Sequence, residues 1–395
     1  MSQSRAVLAE NDFSLSTVNI KGDGMTTDFS INKVVIHELV KEQHRGIQPS
    51  NIRNTVLDGR NDAVRKLVTG ITSLYGRRNN NAHYGTFRTG EGRGAFPDQF
   101  EAYTRVVALN DEVFLTLTHV AMESLYIKAE SSPLASGGYI LFCDYSTQQG
   151  RYFLTAMIKQ KEGIKLSATL EPEELVQLDL SRLHQAARIN FGKLSAYLAA
   201  EERDRLELSY LSFVSPHTGK TAAGYFTTAL GCAPGAGSTR ATETLIQEST
   251  KFFKEREVLQ PHAREFRVNL IAYLQRKKES GESAKLSEIE EIARPFMPAD
   301  ESGQADELAD AFISHLNSED LAVPVEFPVS NRALGRYTHI KYRADNWELN
   351  FERGALGSDD TADIYYDDNL NRIIINQIPE GAIELIRQEL ESRRL

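Results

Sequence analysis

The chain has 395 residues, 41% of them apolar, with 45 lysines and arginines against 55 aspartates and glutamates and a net charge of −10. That length suggests two or three domains and that composition a chain able to bury a real core. No run of about 18 apolar residues occurs, which excludes a membrane-spanning helix, and the acidic balance argues against a simple polybasic coat for nucleic acid.

The first ten residues lack the apolar run of a secretion signal, so a cytoplasmic protein is expected. The two cysteines, Cys143 and Cys232, are too few for a disulfide framework and fit a reduced compartment. The charge is unevenly spread. Residues 282–320 hold eleven acids and two bases, a local balance of −9. Residues 60–93 hold seven bases against Asp62 and Glu91, and residues 332–343 hold four bases and no acid. Such segregation permits a DNA-facing surface on an acidic protein.

In chain order, residues 1–30 read as a loosely ordered extension with one strand at 15–20. Residues 34–40 are apolar enough for a strand, and 52–57 form a second extended stretch. Ala63, Val64, Leu67, Val68, Ile71 and Leu74 recur at helical spacing, which predicts a helix over 63–75. The Gly- and Asn-rich run 77–94 predicts a long loop. Helices follow at 97–107 and 112–129. Residues 138–158 read as a hairpin turning at 146–150. A strand at 208–214 leads into a helix over 220–230, and the linker 234–237 is the expected domain boundary. Residues 239–316 read as mostly helical, with Ser287 and Glu290 spaced as a capping box. Strands return at 322–327, 339–342, 347–351, 364–366 and 372–375, and a final helix follows Pro379.

Several motifs invite chemistry. Gly219-Lys220-Thr221 lies between a predicted strand and helix, as in a phosphate-binding loop. That motif needs a glycine where Val214 stands, and Pro216 cannot donate an N–H to phosphate. Lys220 could still touch one DNA phosphate, or be a solvated lysine near a helix cap. Gly90-Glu-Gly92-Arg93-Gly94 lacks the strand and spacing of a dinucleotide fingerprint. The nine histidines show no metal-ligand spacing and no cysteine pairs with another, so no metal or cofactor is expected. No Gly-x-Ser-x-Gly elbow exists. A metal nuclease built on Asp144, Lys159 and Lys161 lacks the acid two positions before the lysine, where Met157 stands.

The basic segments remain. Arg77, Arg78, Arg88 and Arg93, with Tyr84 and Phe87 between them, could follow a groove and bind phosphates. In the second segment Arg332 and Arg336 precede Lys341 and Arg343, which on a strand would share a face with His339. A solvated loop and the wet face of a sheet would carry the same charges, and these readings stand beside the DNA-binding one.

Four stretches resemble the NdpA/YejK family of bacterial nucleoid-associated proteins. The first is Ile31-Asn-Lys-Val-Val-Ile-His-Glu-Leu-Val-Lys41. The second is Gly137-Gly138-Tyr-Ile-Leu-Phe-Cys143-Asp-Tyr145 with Tyr152-Phe-Leu-Thr-Ala-Met-Ile158. The third runs from Leu178-Asp-Leu180 through Ala187-Arg188-Ile189 and Tyr210-Leu-Ser-Phe213 to Gly219-Lys220, Tyr225-Phe226 and Leu230-Gly231. The fourth is Leu349-Asn-Phe351 with the closing strands and helix. The resemblance covers about 31–395, and order and spacing carry it more than any single motif. It implies association with the nucleoid through double-stranded DNA, without known enzymatic chemistry. Residues 1–30 extend beyond the family's usual start, and the 77–94 loop is longer and more basic than its usual form.

The resulting expectation is an α+β protein: a flexible extension (1–30), a mixed N-terminal domain with β-hairpins and helices (31–235), a helical region (236–320) and a small C-terminal α+β domain (321–395). It would bind duplex DNA with little sequence preference as a non-catalytic homodimer in the cytoplasm and nucleoid. The acidic 282–320 segment would face away from DNA or contact another protein. The alternatives are an acidic interaction module associated with DNA indirectly, and a metal nuclease.

Overall fold

The computed structural model describes residues 29–75, 82–106, 108–214, 224–235, 237–298, 303–359, 361–376 and 378–393. Residues 1–28 of the expected extension, including its strand at 15–20, lie outside them, and Ser30 already begins the first strand. The chain is an α+β protein whose first half is built on one large sheet. Its elements are β1 (Ser30–Leu39), α1 (Asp62–Leu74), β2 (His83–Phe87), α2 (Ala95–Thr104), α3 (Asp111–Glu130), β3 (Gly138–Thr147), β4 (Gly150–Ile158), β5 (Gln160–Leu166), β6 (Pro172–Leu178), β7 (Gln185–Asn190), α4 (Phe191–Ala199), α5 (Glu202–Arg205), β8 (Leu211–Val214), α6 (Gly224–Ala229) and β9 (Cys232–Pro234).

The seven strands run in the order β1-β3-β4-β7-β8-β2-β9, with every pairing antiparallel. β3 and β4 are apolar at almost every position because both faces of the sheet are covered. Ile140, Phe142, Phe153 and Met157 face a core shared with Phe96, Phe100, Phe114, Leu117 and Phe226. Leu141, Cys143, Tyr145, Tyr152 and Leu154 face a second core with Val68 and Ile71 of α1. Both helices begin on side-chain caps. Asn61 accepts from the N–H groups of Ala63 and Val64, and Asn110 from that of Val113, each satisfying donors a helix start leaves open. Gly137 is required where β1 and β3 meet, since a Cβ there would stand 1.8 Å from the Leu39 carbonyl oxygen. Gly231 turns the chain after α6 at φ +65°, in the left-handed region glycine favours.

The second half comprises α7 (Ser238–Lys254), α8 (Ala263–Ser280), β10 (Ser283–Lys285), α9 (Leu286–Ala293), α10 (Gln304–Leu316), β11 (Glu326–Pro328), α11 (Asn331–Thr338), β12 (His339–Arg343), β13 (Glu348–Glu352), β14 (Leu356–Gly357), β15 (Ile364–Asp367), β16 (Arg372–Ile375) and α12 (Glu380–Ser392). Leu245, Phe252, Phe253, Phe266, Leu270 and Phe312 form the centre of a third core, which takes in Val323, Phe327 and Leu334 as well. The small sheets β12–β13 and β14–β15–β16 with α12 close the chain.

Three readings of the sequence need correction. Residues 83–87, expected within a loop, are strand β2, which pairs β8 through His83–Gly85 and β9 through Gly85–Phe87. The pairing partners lie far along the chain, so local composition carried no sign of it. The expected linker at 234 therefore starts inside an edge strand. The capping box at Ser287 is not formed: α9 begins at Leu286, whose N–H donates to the Val325 carbonyl, so the β10–β11 ladder supplies the start. Residues 160–178, given no element by the sequence, form the hairpin β5–β6, which pairs only with itself.

Candidate nucleic-acid interface

Binding a polyanion demands cations that are exposed and not already neutralised. Arg77, Arg78 and Lys220 lie outside the described residues. The two remaining arginines of the expected 77–94 loop are engaged, while Arg60, Arg65 and Lys66 at the start of the basic segment are exposed. Arg88 donates from Nε to the Cys232 carbonyl at 3.0 Å. Arg93 donates to Asp98 at 2.6 Å and also pairs with Glu101. Burial works against the Arg93 charge, but hydrogen bonds to the two carboxylates outweigh it and hold the pKa above its ordinary value. The aromatics between them face inward. Tyr84 and Phe87 are buried, Tyr84 donating to the Asn317 carbonyl at 2.6 Å and Phe87 packing edge-on to Phe96 and Tyr210. They offer no stacking surface.

The second basic segment divides between a helix and a strand. Arg332 and Arg336 are exposed on α11, where Ser330 caps the helix by accepting from Ala333 N–H. Arg336 pairs with Glu243 of α7 at 2.5 Å. His339, Lys341 and Arg343 alternate along β12 onto one face, opposite Glu352, Asn350 and Glu348 of β13. The basic row thus lies beside an acidic one.

A third basic zone escaped the sequence reading. Residues 251–278 hold eight bases and three acids. Four of the bases, Lys251, Lys254, Arg264 and Arg267, line two adjoining surface clefts between α7 and α8 that share Thr250, Lys254 and Arg267. The strongly acidic stretch that follows masks this excess unless the window is set on the helix pair itself. That stretch is partly neutralised within the chain. Glu282 and Glu288 meet Lys277, Glu290 and Asp306 meet Arg294, and Glu319 meets Arg188.

The residues considered for catalysis are not brought together. Asp144 is fully buried, and its carboxylate accepts from Arg151 at 2.5–3.2 Å, Tyr103 at 2.6 Å and Asn32 at 2.8 Å. Burial and the neighbouring carboxylate push the Tyr103 hydroxyl far above its usual range, so it stays a donor. Asp144 sits opposite Phe153 of β4, six residues before Lys159, which follows the end of that strand, a separation of about 20 Å along an extended chain. Lys159 donates instead to Ser136 Oγ at 2.7 Å, and Lys161 pairs with Asp179 at 3.4 Å. The two thiols are buried, which raises both pKa values, that of Cys232 to about 12; they act as small core residues. Among the described residues no group of three or more His, Cys, Asp or Glu is placed to hold a metal ion, and no helix is long and apolar enough to cross a membrane.

Comparison with known proteins places this arrangement in a family. A nucleoid-associated protein from Pseudomonas entomophila is 26% identical over 358 residues, covering 91% of this chain and 98% of the relative. Another from Metapseudomonas resinovorans is 27% identical over 349 residues, covering 88% and 96%. A third from Azotobacter vinelandii is 27% identical over 364 residues, covering 92% and 98%. The family profile described as nucleoid-associated protein YejK matches residues 35–382, and the chain belongs to that family.

Proposed function

We propose that the protein binds double-stranded DNA in the bacterial nucleoid, chiefly through phosphates and with little preference for sequence, as a non-catalytic homodimer. The family match over residues 35–382, to proteins named for the nucleoid, carries the reading. Two features support it. Exposed basic side chains are gathered on the helical half of a chain whose net charge is −10, and part of its acidic segment is paired internally. The engagement of Asp144 by Arg151, Tyr103 and Asn32 favours a structural role for that carboxylate.

A gel-shift titration with random duplex across a salt series tests the proposal. Affinity should fall log-linearly with salt, with a slope of about −0.9 per neutralised phosphate, and differ little between sequences. Plasmid incubated with magnesium or manganese should remain intact, and sedimentation at micromolar concentration should give the mass of two chains. Absence of binding at low salt would reject direct contact and favour recruitment through the acidic 282–320 segment. Metal-dependent cleavage lost in Asp144→Ala would replace the reading with a nuclease.

A further inference from the structure

The clefts between α7 and α8 follow from how the two helices bury their apolar sides. On α7, Leu245, Ile246, Phe252 and Phe253 point into the helical core. Gln247, Thr250, Lys251 and Lys254, at spacings of three and four, form a polar stripe beside them. On α8, Phe266 and Leu270 are buried while Arg264 and Arg267 emerge one turn apart. Packing the two helices brings the stripes to the same opening. One cleft has a volume of about 540 Å³ and the other about 490 Å³. Four cations line them, and Glu255 is the one acid among the described lining residues.

Three of these four cations are uncommitted; Arg60, Arg65, Lys66 and Arg332 are also exposed and unpaired among the described residues, but they line neither cleft. Lys254, Arg264 and Arg267 are exposed and form no ion pair among the described residues, and Lys251 lies 3.7 Å from Glu248. Arg267 stacks its guanidinium over Tyr337, 5.7 Å from the ring centre, while the Tyr337 hydroxyl accepts from Gln247. That contact holds the planar group in place without neutralising it, leaving its donor edge for an anion. In the other basic zones Arg93 and Arg336 are neutralised by carboxylates, and Lys341 and Arg343 lie beside an acidic row.

Resting on the DNA-binding reading above, we infer that the α7–α8 cleft is where the phosphodiester backbone of duplex DNA is seated, with Lys251, Lys254, Arg264 and Arg267 as its phosphate contacts. The openings, at about 540 and 490 Å³, are too wide for a single phosphate. A polyanion running across both satisfies all four cations at once, and contacts of this type carry affinity without sequence information.

The test compares the full-length protein with Lys251→Ala/Lys254→Ala/Arg264→Ala/Arg267→Ala, using random duplex and, separately, inorganic phosphate as probes. All four side chains are exposed, so an unchanged circular dichroism melt is expected. The variant should bind duplex at least 30-fold more weakly at low salt, to the same degree for unrelated sequences, and its salt slope should be shallower by about 3 to 4. A second variant, Lys254→Gln/Arg264→Gln, retains the Arg267–Tyr337 contact and should lose about half of that slope. If the wild-type protein fails to bind duplex, the DNA-binding reading itself falls. If the wild type binds and both variants match it in affinity and slope, only the cleft assignment is overturned. Millimolar inorganic phosphate that binds wild type tightly and is not displaced by duplex would also overturn it.

Discussion

His37 illustrates how one buried ring acquires a fixed charge state. It lies on β1, almost wholly buried, with Nδ1 accepting from the Arg53 backbone N–H at 3.1 Å. Nε2 therefore carries the proton and donates to Thr118 Oγ1 of α3 at 3.0 Å, and the threonine hydroxyl in turn donates a hydrogen bond to the Leu115 carbonyl. A second ring proton would point at an N–H group. Burial first, then the nearby His119 and Arg53, lower its pKa from 6.5 to about 4. The unfolded chain thus takes up this proton before the folded one does. The stabilisation is complete above about pH 6.5 and is lost as pH falls towards 4, amounting to about 3 kcal/mol over that interval. Chemical denaturation of wild type between pH 7 and 4 should show this loss. His37→Asn, whose carbonyl can still accept from Arg53, should flatten it, and an equal pH slope in both proteins would refute the assignment.

The elements differ in how far the sequence betrays them. The β3–β4 hairpin is legible because Tyr139–Cys143 and Tyr152–Ile158 are continuous apolar runs separated by a short turn, and its partner is the next segment of chain. α1 is legible from the helical spacing of its apolar residues, whereas the caps at Asn61 and Asn110 that start α1 and α3 are seen only in the folded chain. β2 is not, because five residues containing glycine become a strand only when β8 and β9 close on both sides. The cationic cleft is hidden for a related reason: its charges sit on two helices and converge only when α7 packs on α8. The β5–β6 hairpin is hard to read because only its last residue, Leu178, packs against a core. Ile164 is 76% exposed and Val176 61% exposed, so no apolar periodicity is imposed on it. Its ends nearly touch, Asp179 N–H donating to the Lys159 carbonyl at 2.7 Å. Replacing residues 160–177, which leaves Leu178 in place, with a three-residue glycine-serine turn should therefore shift the melting temperature by less than about 4 °C, the scale of 1 kcal/mol or less in a domain of this size. A drop of 10 °C in a thermal melt would mean the arm supports the sheet after all.

At the scale of the molecule, the two halves are joined by a polar junction rather than an apolar one. Asn317, just past α10, accepts from Ala82 N–H at 2.6 Å and donates to the Ala82 carbonyl at 2.9 Å, sealing the helical half to the start of β2. Next to it the Glu319 carboxylate accepts from Arg188 of β7 at 2.7 Å and from Asn190 at 2.6 Å. The Arg188 guanidinium lies 4.3 Å from the centre of the Tyr75 ring and 5.2 Å from that of Tyr152. Burial disfavours its charge, and the Tyr145, Glu319 and Tyr75 groups more than compensate, holding its pKa above the ordinary arginine value. Removing Glu319 strands Arg188 in a poorly solvated site, and removing Arg188 leaves the Glu319 carboxylate only Asn190 and Lys193, the latter 4.0 Å away, at a cost of about 3 kcal/mol in either case. Arg188→Ala and Glu319→Ala should each destabilise the protein by that amount. The double variant Arg188→Met/Glu319→Leu should lose much less than their sum, because no unpaired charge remains. Since the junction fastens the half that carries the basic cleft to the half that carries the large sheet, either single variant should also split one unfolding transition into two in calorimetry. A single transition at the wild-type temperature in both single variants would show that the halves are coupled elsewhere.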